Sequence, residues 1–145
     1  MSNSYQNAAF QFLYPENWTL DESRTTDGLT ISLQSPHSMF VFINCYEEAV
    51  DAQDVADQAL DTMVQEYTEL DSEPVHETIG DVPAVGHDVN FFSLDLTNTC
   101  WIRAFSVGGQ TVLIFAQTND LDLEQGELAF RAICASLKLS SSGAL

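Results

Sequence analysis

Large aromatic residues alternate with other residues near the start of the chain, and the alternation stops at a proline. Phe10, Phe12 and Tyr14 fall on one side of an extended backbone, whereas the next residue, Pro15, has no N–H for strand pairing. The pattern predicts a strand, then a turn, then a second strand that starts at Trp18 and returns beside the first. Because large aromatic side chains are mostly buried, we expect this segment to mark the core.

The length of 145 residues suits a single domain with one sizeable core, and 45% of the residues are hydrophobic. We expect residues 8–139 to form the domain, with residues 1–7 and 140–145 as flexible termini. No apolar run approaches the ~20 residues of a membrane-spanning helix. The first residues carry neither basic side chains nor an apolar stretch, so a cytoplasmic location is expected.

The chain is strongly acidic, with 22 acidic residues against four basic ones and a formal net charge of -18. Such a field repels phosphate groups, which argues against nucleic acids and anionic membranes as partners. Basic or apolar segments of another protein, and divalent cations, are the partners it favours. Solubility or adaptation to a saline environment is the simpler explanation of the charge, and the acidity alone is weak evidence for a partner.

The periodicity of apolar residues predicts two helices, over residues 51–70 and 122–137. Asp51 is the predicted N-cap of the first. The unbroken apolar run at 39–45 is typical of a central strand covered on both faces. Gly108 and Gly109 predict a hairpin, and Gly86 indicates a bulge. The predicted strands cover residues 10–14, 18–20, 28–34, 39–45, 73–79, 84–94, 99–107 and 110–117, with turns at 80–83 and 95–98.

This order of elements predicts an α+β fold. Hairpin connections dominate, so we expect a single, largely antiparallel sheet of about six to eight strands, with two main helices packed on it in an α-β-α sandwich-like arrangement.

Three motifs carry a resemblance to a known family. They are the F-x-F-x-Y-P-x-x-W pattern of residues 10–18, the turn from Gly80 to Ala84, and the S-L-x-L ending of residues 136–139. Together with the helix about forty residues after the opening, they resemble the PsbP-like superfamily over residues 8–139. That superfamily includes the extrinsic P protein of photosystem II, a Ran-binding nuclear import factor and bacterial proteins, some of them chaperones for secreted effectors. The resemblance implies a non-catalytic binding or assembly role and no particular site residue.

Arg103 is the most informative single residue, because it shares a strand face with Trp101 and Phe105. If that face is covered, the guanidinium requires a carboxylate partner. If the face is open, the three side chains form a stacking platform for a peptide or a small anion.

A weaker candidate is a ridge of carboxylates, Asp54, Asp57 and Asp61, which follows one side of the first predicted helix and offers oxygens to a divalent cation. A solvated acidic face is the alternative. The three histidines lack metal-ligand spacing, the three cysteines form no Cys-x-x-Cys motif, and no nucleotide-binding motif is present, so no cofactor is expected.

Three functions follow in order of support. The first is a non-catalytic binding, assembly or chaperone-type module for another protein, compatible with a homodimer. The alternative is a binding protein for a small ligand or a divalent cation. The third, a hydrolase, lacks a recognisable nucleophile and base.

Overall fold

The computed structural model describes residues 2–8, 10–26 and 28–139. Five strands precede the first helix, four strands connect the two helices, and one short strand follows. The strands are β1 (Ser2–Gln6), β2 (Phe10–Pro15), β3 (Thr19–Thr25), β4 (Gly28–Gln34), β5 (Phe40–Tyr46), β6 (Leu70–Ile79), β7 (Val82–Ser93), β8 (Leu96–Val107), β9 (Gln110–Asn119) and β10 (Lys138–Leu139). The helices are α1 (Ala52–Glu66) and α2 (Leu123–Ser136).

A seven-stranded sheet with the order β3-β4-β5-β9-β8-β7-β6 forms the centre of the molecule. All of its neighbouring strands pair antiparallel. Helix α1 packs mainly on β7, β8 and β9, whereas α2 packs on the other face beside β2 and β9. The α+β fold with two helices on a largely antiparallel sheet is therefore confirmed.

A second, three-stranded sheet has the order β1-β2-β10 and was not predicted. The predicted opening hairpin is wrong, because β2 pairs with β1 and β10, whereas β3 pairs with β4. The N–H of Trp18 bonds to the Pro15 carbonyl, and this turn sends the chain from one sheet to the other. Residues 2–6, expected to be flexible, form β1, and residues 140–145 lie outside the described part of the chain.

The core has two parts, one on each face of the large sheet. On the α2 face, Phe10 and Phe12 of the small sheet are buried as predicted and pack with Phe130 of α2. On the α1 face, Val55, Ala56 and Met63 of the helix cover β7, β8 and β9.

Three of the hairpins turn through two residues that both have positive φ, the geometry that matches the right-handed twist of paired strands. These residues are Gly80 and Asp81, Leu94 and Asp95, and Gly108 and Gly109. The predicted Gly108-Gly109 hairpin is confirmed. The other turns are tighter than predicted at 80–83 and 95–98, and α1 ends at Glu66 rather than residue 70, where β6 begins.

At Gly86 the backbones of β7 and β8 approach each other closely. The predicted bulge at this position is wrong. The pairing of β7 with both neighbours continues without interruption through Gly86, which lies opposite Val75 and Arg103. A Cβ atom at this position would lie 1.7 Å from the carbonyl oxygen of Ile102. Glycine is therefore required here by the neighbouring backbone.

We predict that Gly86→Ala lowers the free energy of unfolding by about 3 kcal/mol or more, because the added methyl group forces two paired strands apart. Urea denaturation measures the loss. Gly109→Asn is the control, since the space around Gly109 is open and Asn tolerates positive φ. Equal stability of Gly86→Ala and the wild type would contradict this account of the β7–β8 pair.

Candidate functional site

Helix α1 covers only half of its face of the sheet. On β7, β8 and β9, residues of this face such as Val89, Ile102 and Leu113 are buried. On β3, β4 and β5, every described side chain of the same face is at least partly exposed. We call this β3–β4–β5 part of the α1 face the open half. On the opposite face, β4 and β5 contribute to the core, with Ile31 and Ile43 fully covered, whereas Glu22 and Arg24 of β3 are exposed.

Three phenylalanines form a cluster along the inner border of the open half. The ring centroids of Phe40 and Phe42 lie 5.0 Å apart, and Phe115 of β9 stacks on Phe40 at 6.3 Å with an interplanar angle of 19°. Phe42 and Phe115 are cross-strand partners. Phe42 is 38% exposed although aromatic rings are usually buried. Phe40 and Phe115 are partly exposed, and Phe115 also packs against the core beneath α1, so the cluster is an apolar surface that the protein covers only in part.

Polar side chains occupy the rest of the open half. Phe42 lies opposite Ser32, and Ser32 lies opposite Asp21 of β3, so one row runs from an aromatic ring to a carboxylate at the sheet edge. In the next row, Thr30 donates a hydrogen bond of 2.9 Å to the Asn44 side chain. The open half thus combines an apolar border with an acidic outer edge.

The prediction that the run at 39–45 is covered on both faces is wrong for residues on the α1 face. Helix α1 lies over β7–β9, and Phe42 remains exposed. The sequence held a signal of this, because the neighbouring strand β4 places Thr30 and Ser32 on the face that Phe42 shares. Apolar residues beside a polar strand face indicate a surface that water reaches.

Trp101, Arg103 and Phe105 lie together on the α2 face, and all three are buried. Arg103 has no exposed surface, and its guanidinium bonds to Glu77 through Nε and to Asp88 through an Nη atom at 2.8 Å. Its other Nη atom donates to the Ile102 carbonyl at 2.9 Å. The structure thus provides the carboxylate partners that a covered face requires.

Helix α2 closes this face. The ring of Phe130 stacks on Trp101 with centroids 5.1 Å apart, and the Arg103 guanidinium carbon lies 5.7 Å from the same ring. Arg131 of α2 bonds to the second oxygen of Glu77 at 3.2 Å. A ligand would reach Trp101, Arg103 and Phe105 only if α2 moved off the sheet, so a ligand role for these residues stays a prediction.

We predict that Arg103→Lys lowers the free energy of unfolding by about 2–4 kcal/mol, because lysine cannot form the guanidinium fork and places a buried charge that no longer bonds to both Glu77 and Asp88. Chemical denaturation measures this loss. Arg24→Lys is the matched control: the pair of Arg24 and Glu47 is exposed, and we expect a change below about 0.5 kcal/mol. Similar effects of the two substitutions would contradict the role given to Arg103.

The three aspartates of the acidic ridge do not converge. Among the described residues, no group of three or more ligand-type side chains is close enough to hold a metal ion. Asp57 instead lies 2.8 Å from Nε2 of His87, a buried residue of β7, and accepts a bond of 3.0 Å from Gln53. The hydrogen bond with His87, and to a smaller extent that from Gln53, holds the pKa of Asp57 below its ordinary value of 3.8. Asp57 thus fastens α1 to the sheet.

We predict that Asp57→Asn lowers the free energy of unfolding by about 0.5–1 kcal/mol near neutral pH. Because the folded pKa of Asp57 is lowered, its charge stabilises the fold above 3.8, and this contribution is lost as the pH falls through the lowered pKa. Thermal unfolding across the acidic range should show the two proteins converge. Asp61→Asn, which makes the same charge change at an exposed position, is the control; a constant difference at all pH values would contradict the assignment.

A cleft of about 220 Å³ lies between the turn before β3, the β4–β5 connection and the start of α2. Trp18 and Met39 give it an apolar side, and His37, Asp122 and Gln125 give it a polar side. The Asp122 carboxylate already accepts bonds from the backbone and hydroxyl of Ser38. Small-ligand binding, the alternative function, stays a prediction.

All three cysteines are buried. Burial raises the pKa of Cys45 and of Cys134 to about 12 and raises that of Cys100 as well. The groups are therefore held as neutral thiols, which are poor nucleophiles.

Known proteins share the fold of this chain at very low sequence identity. No protein-family model matches the sequence, and a comparison with curated proteins found no match. The solution structure of cyanobacterial PsbP from Synechocystis sp. PCC 6803 superposes with a TM-score of 0.71 at 10% identity, covering 96% of this chain and 92% of that one. LpqN, a protein involved in cell envelope biogenesis of Mycobacterium tuberculosis, superposes at 0.62 with 12% identity, covering 96% and 85%.

The Ran-binding protein Mog1p of Saccharomyces cerevisiae also superposes at 0.62, with 6% identity and 96% and 95% of the two chains covered. The chain therefore has a PsbP-like fold, and at these identities the likeness concerns the fold alone. In the described part of the chain, no helix is both long and apolar enough to cross a membrane.

Proposed function

We propose that this protein is a non-catalytic module that binds a segment of another protein on the open half of its sheet. The observation that carries the proposal is the cluster of Phe40, Phe42 and Phe115, whose rings are partly or well exposed at the border of a part of the sheet that α1 does not cover. Aromatic residues are enriched at protein interfaces, where they contribute much of the binding energy.

The charge of the protein selects the chemistry of the partner. A net charge of -18 attracts basic segments over long range and repels nucleic acids and anionic membranes. Lysine and arginine side chains also bind over the faces of aromatic rings. A segment that combines basic and apolar residues would therefore complement both the cluster and the acidic outer edge at Asp21.

Two further observations support a binding role. The buried thiols have raised pKa values, so the cysteines are unsuited to nucleophilic catalysis. Among proteins of the same fold, Mog1p is a Ran-binding protein, which supports the kind of function without identifying the partner. A cytoplasmic location, as expected from the sequence, is part of the proposal.

We predict that Phe42→Thr captures much less of the partner protein that the wild-type protein captures from native lysate. Circular dichroism should show that the fold of the variant is intact. The substitution removes the most exposed ring of the cluster and keeps a residue suited to a strand. Leu128→Gln is the control, because it removes an apolar side chain that is 67% exposed on α2, away from the open half. Equal capture by Phe42→Thr, or loss only with Leu128→Gln, would contradict the proposal.

A further inference from the structure

The large sheet has two edges, and only one of them is suited to pairing with another chain. At one edge, β6 carries Pro74 near its middle, where the missing N–H interrupts any further pairing. At the other edge, β3 pairs with β4 over all of its residues without a bulge or a proline. Its outer side pairs with no other strand among the described residues. Such an edge presents unpaired backbone donors and acceptors.

The side chains of β3 differ between its two faces. On the side of the open half lie Thr19, Asp21 and Ser23, all exposed. On the other side, Leu20 is partly buried against the core, Glu22 accepts a hydrogen bond from Tyr5, and the exposed Arg24 pairs with Glu47. The carboxylate of Asp21 has no hydrogen-bond or ion-pair partner within the described part of the chain. An added strand would therefore meet the unpaired charge of Asp21 on one face, and on the other the apolar side chain of Leu20 next to Glu22 and Arg24, which already have partners.

We infer that the partner segment adds to β3 as an extra, extended strand, with basic residues on the side of Asp21 and apolar residues on the side of Leu20. This inference rests on the proposed function and names how its partner is held. Backbone hydrogen bonds to β3 provide the affinity, and the alternation of basic and apolar side chains provides the specificity. The added strand lies beyond β3 and does not itself reach Phe42, so further residues of the same partner, beyond that strand, would cross the row of Asp21, Ser32 and Phe42 to contact the aromatic cluster.

Charge favours a basic segment over a second copy of this chain as the occupant. Two copies would each carry a net charge of -18 and repel one another before their edges met. A segment rich in lysine or arginine gains from the same field. The net charge of the protein, with Asp21 and Glu22 outnumbering Arg24 on β3, then both disfavours self-pairing and favours a basic partner.

The test uses a labelled synthetic peptide of alternating Lys and Val residues, with binding followed by fluorescence anisotropy. In an edge-paired strand only alternate N–H groups point to the neighbouring strand. One peptide is methylated on the backbone nitrogens of all its Lys residues, and a second on those of all its Val residues. The two should therefore differ in affinity for the protein. We expect one to lose roughly tenfold or more in affinity and the other to bind nearly as the parent does.

Protein variants locate the binding edge. Asp21→Asn should weaken binding of the peptide by about threefold to tenfold, because a charge pair is lost. Asp61→Asn, which changes the net charge equally from α1, should have a smaller effect. Equal effects of both variants would mean attraction by overall charge alone and would overturn the inference.

Other outcomes separate this inference from the proposed function. No binding of the parent peptide, or equal weakening by the two methylated peptides, would exclude strand addition. If strand addition were excluded but Phe42→Thr still captured less of the lysate partner than the wild type, the open half would remain the binding surface. A dimer in sedimentation that the peptide does not displace would place a second copy on β3 and would likewise overturn the inference.

Discussion

The buried ion pairs of Arg103 hold together the elements that decide which surfaces this protein covers. The guanidinium joins β8 to Glu77 of β6 and Asp88 of β7, and it lies against Phe130 of α2. A charge without exposed surface is stable only with such partners. Gly86 contributes by allowing the β7 and β8 backbones to approach closely at the position opposite Arg103. The α2 face of the sheet is thereby closed.

The two faces of the sheet consequently serve different purposes. The centre of the α2 face is covered by α2 and by the small sheet, and Trp101 and Phe105 there belong to the core, whereas Phe92 of β7, on the same face, is 51% exposed. The α1 face has one helix for seven strands, so β3, β4 and β5 remain open beside Phe40, Phe42 and Phe115. The function proposed here depends on this imbalance, because the chain carries apolar surface for which it has no cover of its own.

The periodicity of the sequence predicted both helices and the strands of the large sheet, because amphipathic spacing and turn residues are local signals. The pairing of β2 was not predictable, since its partners come from the N-terminus and from β10, and no local pattern marks such contacts. Arg103 was predicted to need a carboxylate on a covered face, but its partners lie on two other strands. The open half was missed because an apolar run does not reveal how far a helix extends over it.

The central claim is that a partner protein occupies the open half, and amide hydrogen exchange of the captured complex tests it most directly. Bound partner should slow exchange within residues 19–46, which contain β3, β4 and β5, and should leave α1 and α2 unchanged. Slower exchange confined to the helices, with residues 19–46 unaffected, would contradict the account.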